Sequence, residues 1–131
     1  TGRSFADEVD RFGAKLRPQL LERCVKSYDL DPVAYLKAQT LFRDCRQMVG
    51  PAMGDCDVLL APAALGEAPR GLDWTGDPRM NQIWTLLHTP CVAVPAGKGA
   101  NGLPLGVQVI GRQEDDVRTL ACAHWIEQRL R

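Results

Sequence analysis

Two segments of this chain, Val58–Pro62 (VLLAP) and Cys91–Pro95 (CVAVP), carry no polar side chain, and each is closed by proline. Successive residues of a β-strand point to opposite faces. A strand that is apolar throughout needs cover on both sides, which is the pattern inside a sheet with helices above and below. A third strand follows in Gly102–Gly111 (GLPLGVQVIG), with Leu105, Val107 and Val109 on one face and Gly106, Gln108 and Ile110 on the other. Three strands are too few to flank one another on every edge, and a bare edge recruits other chains. The sheet is therefore expected to continue in polypeptide outside these 131 residues or in a partner subunit.

Helices are expected around that sheet. Ser4 and Asp7 have the spacing of a capping box, ahead of Phe5, Val9, Phe12 and Leu16 at helical intervals, and Gly13 weakens the end of that helix. Pro18 opens a second helix, with Leu20, Leu21, Cys24 and Val25 as its inner face. Asp31-Pro32 caps a third, whose stripe runs through Ala34, Ala38, Leu41, Cys45, Met48, Val49 and Ala52 until Gly50-Pro51 loosens the last turn. Asp77-Pro78 starts a fourth, with Met80, Ile83, Trp84 and Leu87 inward, and Pro90 stops it. The last helix is predicted to bury Val117, Leu120, Ala121 and Trp125, with Arg129 and Arg131 suited to its C-terminal dipole.

The expected fold is α/β: a mixed β-sheet with flanking helices in one domain over residues 1–131. Residues 1–54 are its helical part and 55–131 its sheet-forming part. The irregular stretch from Pro62 to about Asp77 is long for a compact domain, and such loops are often functional. Gly106 and Gln108 stand side by side on a face that otherwise favours apolar residues. On one reading Gly106 admits an absent layer of protein and Gln108 ties that layer's backbone to the strand. On the other, this is a hairpin strand with Gln108 partly wet.

Several functions are excluded or weakened at this level. Basic and acidic residues balance at sixteen each with no basic run, which argues against nucleic-acid binding. No apolar stretch is long enough to span a bilayer, and the N-terminus has no secretory apolar core. Five scattered cysteines, Cys24, Cys45, Cys56, Cys91 and Cys122, read as free thiols in the core of a cytoplasmic protein. His88 and His124 lack the paired ligands of a structural metal site, so no metal is expected, and no other cofactor is implied. Gly97–Gly102 (GKGANG) spells a dinucleotide fingerprint after a strand, but a strand follows where a helix N-terminus is required. It reads as a hairpin loop. Ser4 and Ser27 lie in polar, helical contexts rather than in a glycine-rich turn that presents a nucleophile. A thiolate at Cys56 or Cys91, each beginning a strand, is costly to form.

Asp77, Asn81 and Trp84 lie about one turn apart where the long loop meets a helix. Their plain reading is a cap, a surface amide and a core aromatic; their functional reading is the wall of a substrate pocket.

Taken in order, DVLLAP (Asp57–Pro62), TGDPRMNQIWTLLHTPCVAVPAG (Thr75–Gly97) and GLPLGVQVIG resemble the C-terminal part of the amidase signature family. The likeness is clear from about Asp55 onward and looser but collinear before it. The resemblance implies the C-terminal part of an α/β/α sandwich and hydrolysis, or amidotransfer, of a carboxamide. Family members act on small amides, fatty amides, urea derivatives and glutamine through a serine nucleophile, a cis-serine and a lysine base. That set lies upstream in the family, and Lys15, Lys26, Lys37 and Lys98 lack the flanking sequence of its base. The chain thus looks like the distal piece of an amidase, inactive alone and without catalytic residues of its own. Asp77, Asn81 and Trp84 match the segment that walls the family's pocket, and His88 stands where the family usually has glycine. The expected partners are the remainder of the amidase or a partner chain completing the sheet, and a small amide substrate. A homo-oligomer is compatible, and neither nucleic acid nor membrane is expected. The alternatives are a non-catalytic module that binds a partner through its open sheet edge, and a nucleotide-binding oxidoreductase that rests on the glycine loop alone.

Overall fold

A computed structural model describes residues 3–130, so the expectation for Arg131 and for the first two residues of the N-terminus lies outside the described residues. The described chain forms two compact units that divide in sequence between Leu41 and Phe42.

In the first unit a 3-10 turn, Arg3–Phe5, leads into helix α1, Ala6–Phe12, and a second one, Gly13–Lys15, follows. The predicted capping box does not form. Ser4 sits inside the 3-10 turn, which puts Phe5 at the N-cap with no side-chain bond. Helix α2, Pro18–Lys26, does open on proline, whose fixed φ and absent N–H suit a first helical position. It closes at Ser27, whose hydroxyl donates to the Cys24 carbonyl at 2.7 Å. Helix α3, Pro32–Met53, starts as expected. Asp31 accepts the Val33 and Ala34 amides at 3.0 and 3.2 Å, satisfying two first-turn donors.

The second unit holds the sheet. Strands β1 (Leu59–Pro62), β2 (Cys91–Lys98) and β3 (Pro104–Ile110) lie in the order β1-β3-β2. Helix α4, Arg79–Leu87, joins β1 to β2, and helix α5, Asp116–Leu130, follows β3. Both ladders are antiparallel, so β1 and β2 run parallel to one another on either side of β3; among the described residues there is no parallel ladder. The two segments that read as central are thus the outer strands here. Their free edges sit beside side chains apolar enough for a sheet interior.

Strand alternation sets the layers. Val92, Val94, Val107 and Val109 point to one face and pack against Ala123, Cys122 and Ile126 of α5. Gln108 points to the opposite face, where its amide reaches the backbone of α4. Helices therefore lie on both sides, an α/β arrangement.

The inward face of α5 differs from the predicted one. Thr119 and Ala123 are buried, whereas Val117 is 83% exposed and Leu120, Ala121 and Trp125 are exposed with it. The cause is the close approach of helix to sheet. A Cβ on Gly111, just after β3, would overlap the Thr119 hydroxyl, so only small side chains fit at that contact. The bulky stripe faces outward, with the Arg129 guanidinium 3.5 Å over the Trp125 ring.

Ile83 of α4 is exposed, as are Leu41 and Met48 of α3, whose buried residues are Val49 and Met53. Pro51 lies inside the last turn of α3, which runs to Met53. Of the cysteines only Cys24 is buried; Cys56 is exposed ahead of β1, and Cys91 is exposed at the start of β2, an outer strand here. Large apolar side chains are exposed on α3, α4 and α5. No helix among the described residues is long and apolar enough to cross a membrane.

Helix α4 stops at His88, which adopts the left-handed conformation (φ 56°, ψ 37°). A Cβ makes that conformation costly, and glycine is the usual residue there. His88→Gly is expected to stabilise the protein by about 0.5–1 kcal/mol, and His88→Val to destabilise it by about 1–2 kcal/mol, in a denaturant titration. Equal stabilities for glycine and valine at 88 would show that the cap is unstrained.

Candidate functional site

Because β1 and β2 both run antiparallel to β3, their carboxyl ends emerge on the same edge of the sheet. Three things meet there: the loop of residues 63–78, the first turn of α4, and the β2–β3 turn at residues 99–103. In α/β folds this edge is where loops build ligand sites.

Backbone contacts between these pieces are built by side-chain amides. Gln108 is 3% exposed, and its Nε2 donates to the Pro62 carbonyl at 3.0 Å and the Met80 carbonyl at 2.6 Å. Ala61 and Ala93 flank it across the two ladders, leaving space for the longer side chain. Gly106 takes part as well. Its carbonyl accepts the Ala63 amide at 2.9 Å, and a Cβ there would lie 3.2 Å from Ala63 Cβ and 3.4 Å from the Val94 carbonyl. Both residues thus serve contacts within this chain. The idea that they await an absent layer is corrected: that layer's place is taken by the start of α4 and the loop after β1.

Of the three residues singled out from sequence, Asp77 and Asn81 lie at this edge, whereas the Trp84 carbonyl bonds at the far end of α4, beside the start of β2. Asp77 closes the loop: Oδ1 accepts the Arg79 amide at 2.9 Å, and Oδ2 accepts Arg79 Nε at 2.8 Å. Hydrogen bonding from the Arg79 side chain, then from its backbone, holds the Asp77 carboxyl below its ordinary pKa. Asn81 is exposed and its Nδ2 donates to the Ala63 carbonyl at 3.2 Å, fastening α4 to the end of β1. Trp84 is half-buried, and its carbonyl accepts the Thr89 amide at 3.2 Å.

Glu67 was not singled out by sequence. Its carboxylate accepts the Asn101 amide at 2.9 Å, Asn101 Nδ2 at 2.6 Å and the Leu103 amide at 3.1 Å. The signal lay in the glycine-rich turn, which has backbone donors to offer an anion. That the anion would be a carboxylate 34 residues upstream has no local signature.

On the other side of α4 lies an apolar groove of about 550 Å³, lined by Phe42, Met48 and Val49 of α3 and by Gln82, Ile83 and Leu86 of α4. Asp77, Asn81 and Trp84 do not line it.

These groups can bind and orient. Covalent chemistry needs a nucleophile with a base in reach. Ser27 donates to a backbone carbonyl, and Lys26 pairs with Glu22 at 2.6 Å. At Cys91 desolvation raises the thiol above its ordinary pKa, only partly opposed by the Thr89 hydroxyl, which is the reverse of an activated sulfur. Among the described residues no group of three or more His, Cys, Asp or Glu is placed to hold a metal ion.

Comparison with known proteins extends this picture. Residues 4–120 match the amidase family. The A-type chain of the glutamyl-tRNA(Gln) amidotransferase of Ralstonia nicotianae is 36% identical over 128 residues, covering 92% of this chain and 26% of that protein. Its counterpart in Rickettsia bellii, of the same amidotransferase, is 41% identical over 130 residues, covering 94% of this chain and 25% of its own length. A chain of a solved, inhibitor-bound vestigial protein complex, described as revealing the evolutionary origins of an s-triazine catabolic enzyme, superposes with a TM-score of 0.81 at 27% identity over 98% of this chain and 31% of that one. The chain thus spans about a quarter of the length of the curated relatives it matches.

Proposed function

This chain belongs to the amidase family, and from that premise we propose that it is the C-terminal quarter of an amidohydrolase that cleaves the C–N bond of a carboxamide. The observation that carries the proposal is the collinear family match over residues 4–120, joined to a length only a quarter of the relatives'. The exposed apolar faces of α3, α4 and α5 and the free edges of β1 and β2 support it. They are the surfaces that the remainder of an amidase, or a partner chain standing in for it, would cover.

On this reading the serine, cis-serine and lysine lie in that remainder. The serine hydroxyl attacks the amide carbonyl while its proton passes through the cis-serine to lysine. The tetrahedral intermediate expels ammonia or an amine, which takes up a proton. Water then releases the acid from the acyl-serine. This chain supplies wall rather than chemistry, with Asp77, Asn81 and Trp84 bounding the substrate. The free thiols support a reducing, cytoplasmic setting.

A second reading, part of an amidotransferase that takes ammonia from glutamine, is favoured by the names of the sequence relatives. Ammonia release separates the two. The polypeptide that contains this chain and the triad is incubated with a panel of small primary carboxamides and with glutamine. Hydrolysis of small carboxamides supports the amidohydrolase, and turnover of glutamine alone supports the amidotransferase. Trp84→Ala is expected to raise KM about tenfold with little change in kcat, as loss of a binding wall does. Ammonia from none of these substrates overturns the proposal.

A further inference from the structure

We infer that Glu67 is a positioning residue: its carboxylate fastens the β1–α4 loop to the β2–β3 turn and so fixes Asp77 and Asn81, the part of the proposed wall at the start of α4. The kinetic consequence rests on the function proposed above, whereas the latch itself is a property of the fold.

The geometry is specific. One carboxylate takes three N–H donors from two residues of the turn, Oε1 from the Asn101 and Leu103 amides and Oε2 from the Asn101 side chain. Charge-assisted bonds of this kind are among the stronger ones available at a surface. The turn is shaped to receive it. A Cβ on Gly99 would overlap the Glu67 side chain from Cγ to the carboxylate, so glycine at 99 is what lets the acid lie flat on the turn. The turn holds itself in shape through Gly99 N–H to the Leu103 carbonyl at 2.9 Å and Gly102 N–H to the Gly99 carbonyl at 3.0 Å. This accounts for the glycine-rich GKGANG motif: amides that resemble a phosphate cradle are occupied by the protein's own carboxylate.

The loop needs such a tie. It has no helix or strand of its own between Pro62 and Arg79. At its start it is held by Ala63 N–H to Gly106 and at α4 by Asn81 to Ala63. Glu67 adds the anchor between them, and the loop folds back on itself where Gly76 packs against Pro69. Hydrogen bonding from the Asn101 side chain is the main cause that keeps the Glu67 carboxyl below its ordinary pKa, in keeping with a charged latch at neutral pH.

The test compares Glu67→Ala, Glu67→Gln and Gly99→Ala in the protein that contains this chain and the triad. Deuterium exchange and KM for the best carboxamide are measured side by side. Glu67→Ala removes the acceptor, and Gly99→Ala displaces it without altering it. Both are expected to speed exchange on the order of tenfold in residues 63–76, 99–103 and 77–81, and to raise KM by a similar factor with kcat nearly unchanged. Glu67→Gln keeps one acceptor oxygen and is expected to recover part of both effects. Unchanged exchange in Glu67→Ala, or faster exchange confined to 99–103, overturns the inference. Faster exchange in all three segments with an unaltered KM overturns it as well. If the unsubstituted protein turns over no amide, the proposed function falls, and exchange at 77–81 alone decides whether Glu67 positions the wall.

Discussion

Gly111→Ala is expected to cost about 2–3 kcal/mol of stability and to loosen α5 from the sheet. The added methyl would overlap the Thr119 hydroxyl and lie 2.9 Å from Thr119 Cβ and 3.2 Å from its Cγ2. Neither side can yield easily. The backbone at 111 is held by its N–H bond to the Pro90 carbonyl at 3.0 Å, and Thr119 is 1% exposed with its hydroxyl bonded to the Asp115 carbonyl at 2.7 Å. Relief requires α5 to move outward, which opens the contact of Ala123 with Val94 and Val109. Packing at interior density makes such a shift expensive. Adding Thr119→Ala to Gly111→Ala should recover only about 1 kcal/mol, because the Cβ of residue 119 remains in the way. Denaturant unfolding of the single and double variants checks this, and a Gly111→Ala protein as stable as the parent would show that α5 does not rest on that glycine.

Gln108→Leu is expected to be comparably damaging, about 2–4 kcal/mol, for a different reason. Leucine fills a similar volume but leaves the Pro62 and Met80 carbonyls without their buried donor. Gln108→Glu goes further at neutral pH, since it sets a carboxylate against two carbonyl oxygens. Folding then raises the new group's pKa, so the folded state binds more protons than the unfolded one. The deficit of Gln108→Glu relative to the parent therefore grows as pH rises above about 4.3, the ordinary glutamate value, and shrinks below it. A deficit independent of pH would mean that residue 108 is not enclosed by carbonyls.

Much of the fold was legible where a single residue decides a local outcome. Pro18 and Asp31-Pro32 start helices because a proline ring and a carboxylate suit orphan N–H positions, whatever lies around them. GKGANG could be read as a turn rather than a nucleotide site because Pro104 and an alternating strand follow it. Partner choice was not legible. Periodicity finds an apolar stripe on α5 but not what it faces, and Val117, Leu120 and Trp125 turned out to point away from the sheet. The small face that does meet the sheet, Thr119 and Ala123, is dictated by how closely helix and strand approach, which no spacing rule records. Cys91 was misplaced for a related reason, since a strand composed like a central one is an edge here. At the site the loop could be flagged by its length, but the ties that shape it, Gln108 to Met80 and Glu67 to Asn101, span 28 and 34 residues.

The proposed function requires further polypeptide over the strand edges and apolar faces that this chain leaves open. Deuterium exchange of β1 and β2, together with binding of an apolar dye, tests this when the 131-residue chain is compared with the proposed longer protein. Outward-facing amides of both strands should exchange quickly and the dye should bind in the isolated chain, and both signals should vanish in the longer protein. An isolated chain that is monomeric, dye-free and already protected along both strand edges would contradict it.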